Sequence, residues 1–123
     1  MPATEPTMTP EDVVQKQLEA YNACDLDAFA ATYTDDIEIV DADGKPICKG
    51  LKQLREIYGP VFRNNPHQAA IITNRIAAGP YVIDEEEVIG RADNVRRYAV
   101  PIYRVRGDRI CHVTMIRRAA PGA

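Results

Sequence analysis

Apolar residues recur at helical spacing in the first half of the chain and at strand spacing in the second. Val14, Leu18 and Tyr21 fall four and three apart, the stripe of one amphipathic helix. Thr9 can cap it, Pro10 sits at N1 where a missing N–H costs nothing, and Asp12 completes a capping box. Asn22, Cys24 and Asp25 interrupt the stripe. Asp25 then caps a second, short helix with Leu26, Phe29, Ala30 and Tyr33 on its inner side. A strand is predicted from Asp36 to Asp41, then a turn on ADGKP in which Asp43-Gly44 is the hairpin signal. Ile47 and Cys48 return the chain briefly. Gly50 releases it into a third helix, LKQLREIYGPVF, which Gly59-Pro60 is expected to end or kink.

Beyond that helix the apolar period approaches two. His67–Ala77, Tyr81–Ile89, Arg96–Val105 and Arg109–Arg118 read as four strands divided by AGP, GRADN and RGD. They form an antiparallel meander, and one face of such a sheet must be covered, which the three early helices can do. The class is therefore α+β.

Composition narrows this picture only a little. The 123 residues suit one domain with one core. They divide into a tail at 1–8, expected to be disordered, a domain at 9–118 and a short tail at 119–123. With 46% hydrophobic and 27% charged residues the profile is that of a folded chain. A formal charge of -3 argues against a general nucleic-acid partner. No apolar run approaches the roughly 20 residues of a membrane helix, and MPATEPTMTP lacks the parts of a secretion signal; a cytoplasmic address is expected. Cys24, Cys48 and Cys111 suggest neither a disulfide framework nor a zinc site. His67 and His112 are far apart and lack ligand spacing, so no metal and no organic cofactor is expected.

Two stretches carry candidate chemistry. In YTDDIEIVDADGKP, alternation puts Ile37, Ile39 and Asp41 on one face. If that face is the core, Asp41 loses hydration, its pKa rises, and it becomes a general base for a weakly acidic C–H. The alternative is that Asp41 hydrogen-bonds backbone N–H groups at the start of the hairpin, with Asp43. In VIDEEEVIG, alternation puts Val82, Asp84, Glu86 and Val88 on one face, although one residue of slip exchanges the faces.

The run EAYNACDLDAFAATYTDDIEIVDADGKPICKGLKQLREIYG contains Cys24-Asp25, Tyr33-Thr34-Asp35-Asp36, Asp41, and Gly50 with Leu54. It resembles the opening of the NTF2-like superfamily, especially its ketosteroid-isomerase-like and SnoaL-like (polyketide-cyclase-like) branches. The closing IYRVRGDRICHVTMIRR resembles the last hairpin of that family, so the likeness runs over about residues 11–118. It implies a cone: a strongly curved, mainly antiparallel sheet packed against three N-terminal helices and enclosing a pocket. It also implies frequent homodimers. Tyr98, Val100 and Ile102 make the outer sheet face apolar enough to serve that role.

By the same resemblance Asp41 matches the isomerase branch's proton-transferring Asp. Its oxygen-binding donors, a Tyr on the first helix and an acid on a late strand, would fall on Gln17 and near Pro101, which departs from a standard ketosteroid isomerase. Tyr21, one turn further along the helix, would face the same interior, either as core packing with its hydroxyl at the pocket edge or as a catalytic donor. Tyr33, Tyr58 and Tyr103 are further pocket candidates with the same two readings. An ungapped match turns Asp84 and Glu86 toward the pocket, with Arg97 across the hairpin and Arg117 on the last strand. That Asp–Arg arrangement is similar to the epoxide-hydrolase branch; the alternative is a solvated sheet edge with surface ion pairs. The expected function is acid–base catalysis on a small hydrophobic carbonyl or cyclic compound. A non-catalytic ligand-binding or protein-association module and a water-activating hydrolase are the rival readings.

Overall fold

The first helix starts as its capping residues dictate. In the computed structural model, which describes residues 8–119, the Thr9 side chain accepts from the Asp12 N–H and the Asp12 carboxylate accepts from the Thr9 N–H. Of the expected tails at 1–8 and 119–123, residues 1–7 and 120–123 lie outside the described residues, while Met8 packs against the core. Helix α1 (Pro10–Asn22) is followed by α2 (Leu26–Ala30), capped by the Asp25 carboxylate on the Ala28 N–H. Then come β1 (Tyr33–Asp41), β2 (Pro46–Lys49), α3 (Gly50–Asn64), β3 (Ala69–Ala78), β4 (Tyr81–Ile89), β5 (Arg97–Arg106) and β6 (Arg109–Arg118).

The six strands form one sheet in the order β2-β1-β6-β5-β4-β3. The meander β3–β6 is antiparallel throughout, as alternation and the turn signals indicate. β1 lies parallel to β6, which no local signal announces. The expected cone is corrected here: the sheet is open rather than closed or strongly curled, and β2 and β3 are its two edges. The physical reason is that β2 has only four residues before the chain turns at Gly50 into α3, so no strand remains to meet β3. The space for a ligand therefore lies between one face of an open sheet and the helices.

Two other local expectations change. β1 begins at Tyr33 rather than Asp36, because the Thr32 carbonyl and the Tyr33 register already engage β6 at Ile110. Helix α3 runs through Pro60 to Asn64. An interior proline costs about 3 kcal/mol; here burial of Phe62 beyond it, against Phe29 at 5.3 Å between ring centroids, offsets the cost. Phe29 is the hub of the core. Tyr58, Tyr33 and Tyr21 pack on it as tilted rings at 4.8, 5.1 and 6.0 Å between centroids, and these three tyrosines line the cavity described below.

Candidate active site

The inner face of the sheet follows directly from strand alternation. On β4 it presents Val82, Asp84, Glu86 and Val88; on β5 Ala99, Pro101, Tyr103 and Val105; on β6 Val113, Met115 and Arg117. The register aligns Glu86 with Ala99, and Ala99 with Arg117. A carboxylate and a guanidinium thus stand two strands apart with only a methyl group between them. Above this row is a cavity of about 280 Å³, walled on the helical side by Gln17, Tyr21, Ile57, Tyr58 and Val61.

Of the residues expected at a site, Gln17, Tyr21, Tyr33, Tyr58, Tyr103, Arg97 and Arg117 line this cavity. Asp41, Asp84 and Pro101 do not. The Asp41 carboxylate accepts the N–H groups of Asp43 and Lys45, both at 2.9 Å, and so closes the β1–β2 hairpin. Pro101 is fully buried on the inner face and lies outside the cavity lining. Asp84 is buried to 1% exposure, where a lone charge is costly, and is held by Arg75 from β3 through Nε at 2.7 Å and Nη2 at 3.0 Å. The third guanidinium nitrogen of Arg75, Nη1, donates to Gln15 Oε1 at 2.9 Å. Arg97 pairs with Asp93, not with Asp84. The structure therefore does not bring Asp41, Asp84 and Arg97 together as a water-activating set would require.

Glu86 is the one carboxylate in the cavity wall. It is half-buried and has no salt bridge among the described residues. Burial pushes its pKa up to about 7, the nearby negative charge of Asp84 adds to the rise, and Arg91 and Arg117 pull against it. Around it the phenols of Tyr21, Tyr33, Tyr58 and Tyr103 are all raised, in each case chiefly by burial. Raised phenols stay protonated at neutral pH and are hydrogen-bond donors. Gln17 contributes a hydrogen bond that offsets part of the effect at Tyr33.

Arg91 is a site residue that the sequence did not single out, since GRADN reads as a turn. Its position has three determinants. Gly90 adopts φ +76, and any Cβ there would stand 2.3 Å from the His67 carbonyl oxygen, so only glycine fits. The Ala92 N–H donates to Asn65 at the end of α3. Arg91 Nη2 then donates to the Tyr21 hydroxyl at 3.0 Å, and that hydroxyl donates to the buried Gln68 Oε1 at 3.3 Å. The available signal was an arginine directly after the glycine that ends a strand with inward carboxylates.

A family model for the SnoaL-like domain matches residues 14–113. No curated protein matches the sequence. Among solved structures, an uncharacterised cystatin-fold protein from Novosphingobium aromaticivorans is 26% identical, with a TM-score of 0.80 over 89% of this chain and 99% of the other. A candidate ketosteroid isomerase from Kribbella flavida is 18% identical, TM-score 0.76, over 95% and 83%. A SnoaL-like protein of unknown function from Burkholderia thailandensis is 18% identical, TM-score 0.74, over 94% and 100%. The last two likenesses are of fold.

Proposed function

We propose, for a chain that belongs to the SnoaL-like domain family of the NTF2-like superfamily, that it catalyses proton transfer on a small, largely apolar carbonyl compound. The observation that carries this reading is Glu86: a half-buried carboxylate with a pKa of about 7, facing a cavity whose other polar groups are protonated phenols and arginines. A base with a pKa near the working pH is the efficient one for a weakly acidic C–H. In the step proposed, the C–H bond beside the carbonyl breaks, its proton passes to Glu86, and its electron pair moves onto the carbonyl oxygen. Tyr103, Tyr33 or Tyr58 donates to that oxygen as charge develops. Where a C=C bond lies beside that carbon, the enolate is a dienolate and Glu86 returns the proton at its far end, an isomerisation. Alternatively the enolate carbon bonds to a second carbonyl, whose π pair moves to oxygen and takes the proton back from Glu86, a cyclisation.

Exchange of α-protons of small cyclic ketones in D₂O, followed by NMR, tests this. The catalysed rate should climb as Glu86 ionises and level off above pH about 7. A rate that is flat from pH 5 to 8 would sink the assignment. Binding of such ketones without any exchange would instead favour the non-catalytic module.

We further infer a homodimer through the outer sheet face. Ile71, Ile76 and Tyr81 are exposed there, beside half-buried Ile83, Val100, Ile102 and Ile116 on neighbouring strands. Glu87, paired with Arg96, and Glu85, paired with Arg118, stand among these side chains on the same face. Apolar surface interspersed with paired charges is the composition of a non-obligate interface. Light scattering should give twice the chain mass, and Ile102→Lys should halve it; a monomeric parent protein would refute the interface.

A further inference from the structure

The charge around the cavity is unbalanced. Its lining holds three arginines, Arg91, Arg97 and Arg117, against the single carboxylate of Glu86. Arg97 is answered by Asp93, at 2.6 Å from Nη2 and 3.2 Å from Nη1. The other two are not answered. Arg117 makes no ion pair or side-chain hydrogen bond among the described residues, although Arg118 beside it is paired with Glu85. Arg91 bonds the neutral Tyr21 hydroxyl, and its Nε is buried without any acceptor. A buried donor left unpaired costs more than a hydrogen bond gains, so such donors are normally satisfied.

Arg117 also lines a shallow groove outside the cavity, with Arg96, Arg97, Tyr98 and Arg118. Cavity and groove share Arg97, Tyr98 and Arg117. The mouth of the site is thus cationic, while Ile39, Ile57, Val61, Val113 and Met115 make its interior apolar. In the row Glu86–Ala99–Arg117 the two charged residues are separated by two strand spacings, roughly 10 Å. Ala99 leaves the space between them free.

We propose that the substrate is a small apolar acid whose carboxylate docks at the cavity mouth on Arg117, with Arg91 as second donor, and whose body lies over Ala99 toward Glu86. This deepens the proton-transfer reading and rests on the same cavity. The planar guanidinium fork suits a carboxylate, and the cavity volume, just below the range of drug-sized sites, suits a compact molecule. Anchoring one end by its charge fixes which carbon reaches Glu86.

The test is a matched pair of probes, 2-naphthylacetate and 2-naphthylacetamide, which share a ring system and differ in charge. Titrated at pH 7.5 by isothermal calorimetry, the acid should bind about tenfold or more tightly than the amide. Arg117→Met should bring the two near parity, and Arg117→Lys should keep part of the preference; Arg117 is exposed, so both variants should fold. Glu86→Gln should retain the preference and tighten the acid, since a competing negative charge is removed. An amide bound as tightly as the acid, or a preference that survives Arg117→Met, overturns the proposal. The base assignment fails separately: it falls if Glu86→Gln preserves α-proton exchange, whatever the charge preference of the site.

Discussion

Glu86→Gln is expected to slow α-proton exchange by about 10²- to 10⁴-fold while making the protein more stable at pH 8. The two effects have one cause. An ordinary glutamate releases its proton near 4.5, whereas folded Glu86 holds it to about 7. Between those values the unfolded chain binds fewer protons than the folded one, so stability falls as pH rises through that window and is flat above it. The full shift corresponds to about 3 kcal/mol, or about 2 kcal/mol once screening by water in the open cavity is allowed for. Glutamine has no charge to bury. Urea unfolding of parent and variant should therefore agree near pH 4 and diverge by about 2–3 kcal/mol at pH 8, with the variant ahead. Equal stability at both pH values would show that Glu86 titrates as a solvated surface group. Loss of activity together with gain of stability is the trade-off expected of a functional group held in an unfavourable place.

Arg75→Met should act in the opposite sense, by leaving a buried charge unpaired. It leaves the Asp84 carboxylate, whose side chain is 2% exposed, without either of its guanidinium bonds. Breaking one side of a buried pair costs about 3–5 kcal/mol, which should appear as a fall in the urea midpoint at neutral pH. Replacing both partners, Arg75→Met with Asp84→Leu, should recover most of the loss, because a buried pair is often no better than apolar residues of similar size. If the single variant is as stable as the parent, the pair is not the structural element described above.

These two carboxylates also mark the limit of what the sequence discloses. Alternation in VIDEEEVIG puts both on one face, the family resemblance turns that face inward, and the burial along β4 agrees. Which one is neutralised depends on β3, where a bulge between Ile72 and Asn74 shifts the register and brings Arg75 opposite Asp84. No pattern within β4 reports that. Capping at Thr9 and Asp25 and the tight VRGDRI hairpin were legible because their chemistry lies within a few residues. Asp41 was ambiguous for the opposite reason: its parity points inward, but two N–H groups of its own turn reach it first. The aromatic wall was legible as a set of tyrosines, since each sits at an apolar position of its element. The open sheet was not, because whether edges meet is decided by the length of β2 and not by the pattern along it.

The parallel pairing of β1 with β6 has a further consequence, for biosynthesis. Tyr33 leaves the ribosome well before Ile110, its partner in the sheet. Until the last strand emerges, β1 and β2 have only each other and α3 to pair with, and one long edge of β1 offers its backbone to any neighbouring chain. Loop closure over most of the sequence makes such a topology slow to complete, and unpaired edges exposed meanwhile invite association. Truncation even a few residues into β6 should therefore leave a nascent chain that cannot close its sheet, and translation of the final hairpin is the point at which this protein becomes committed to its fold.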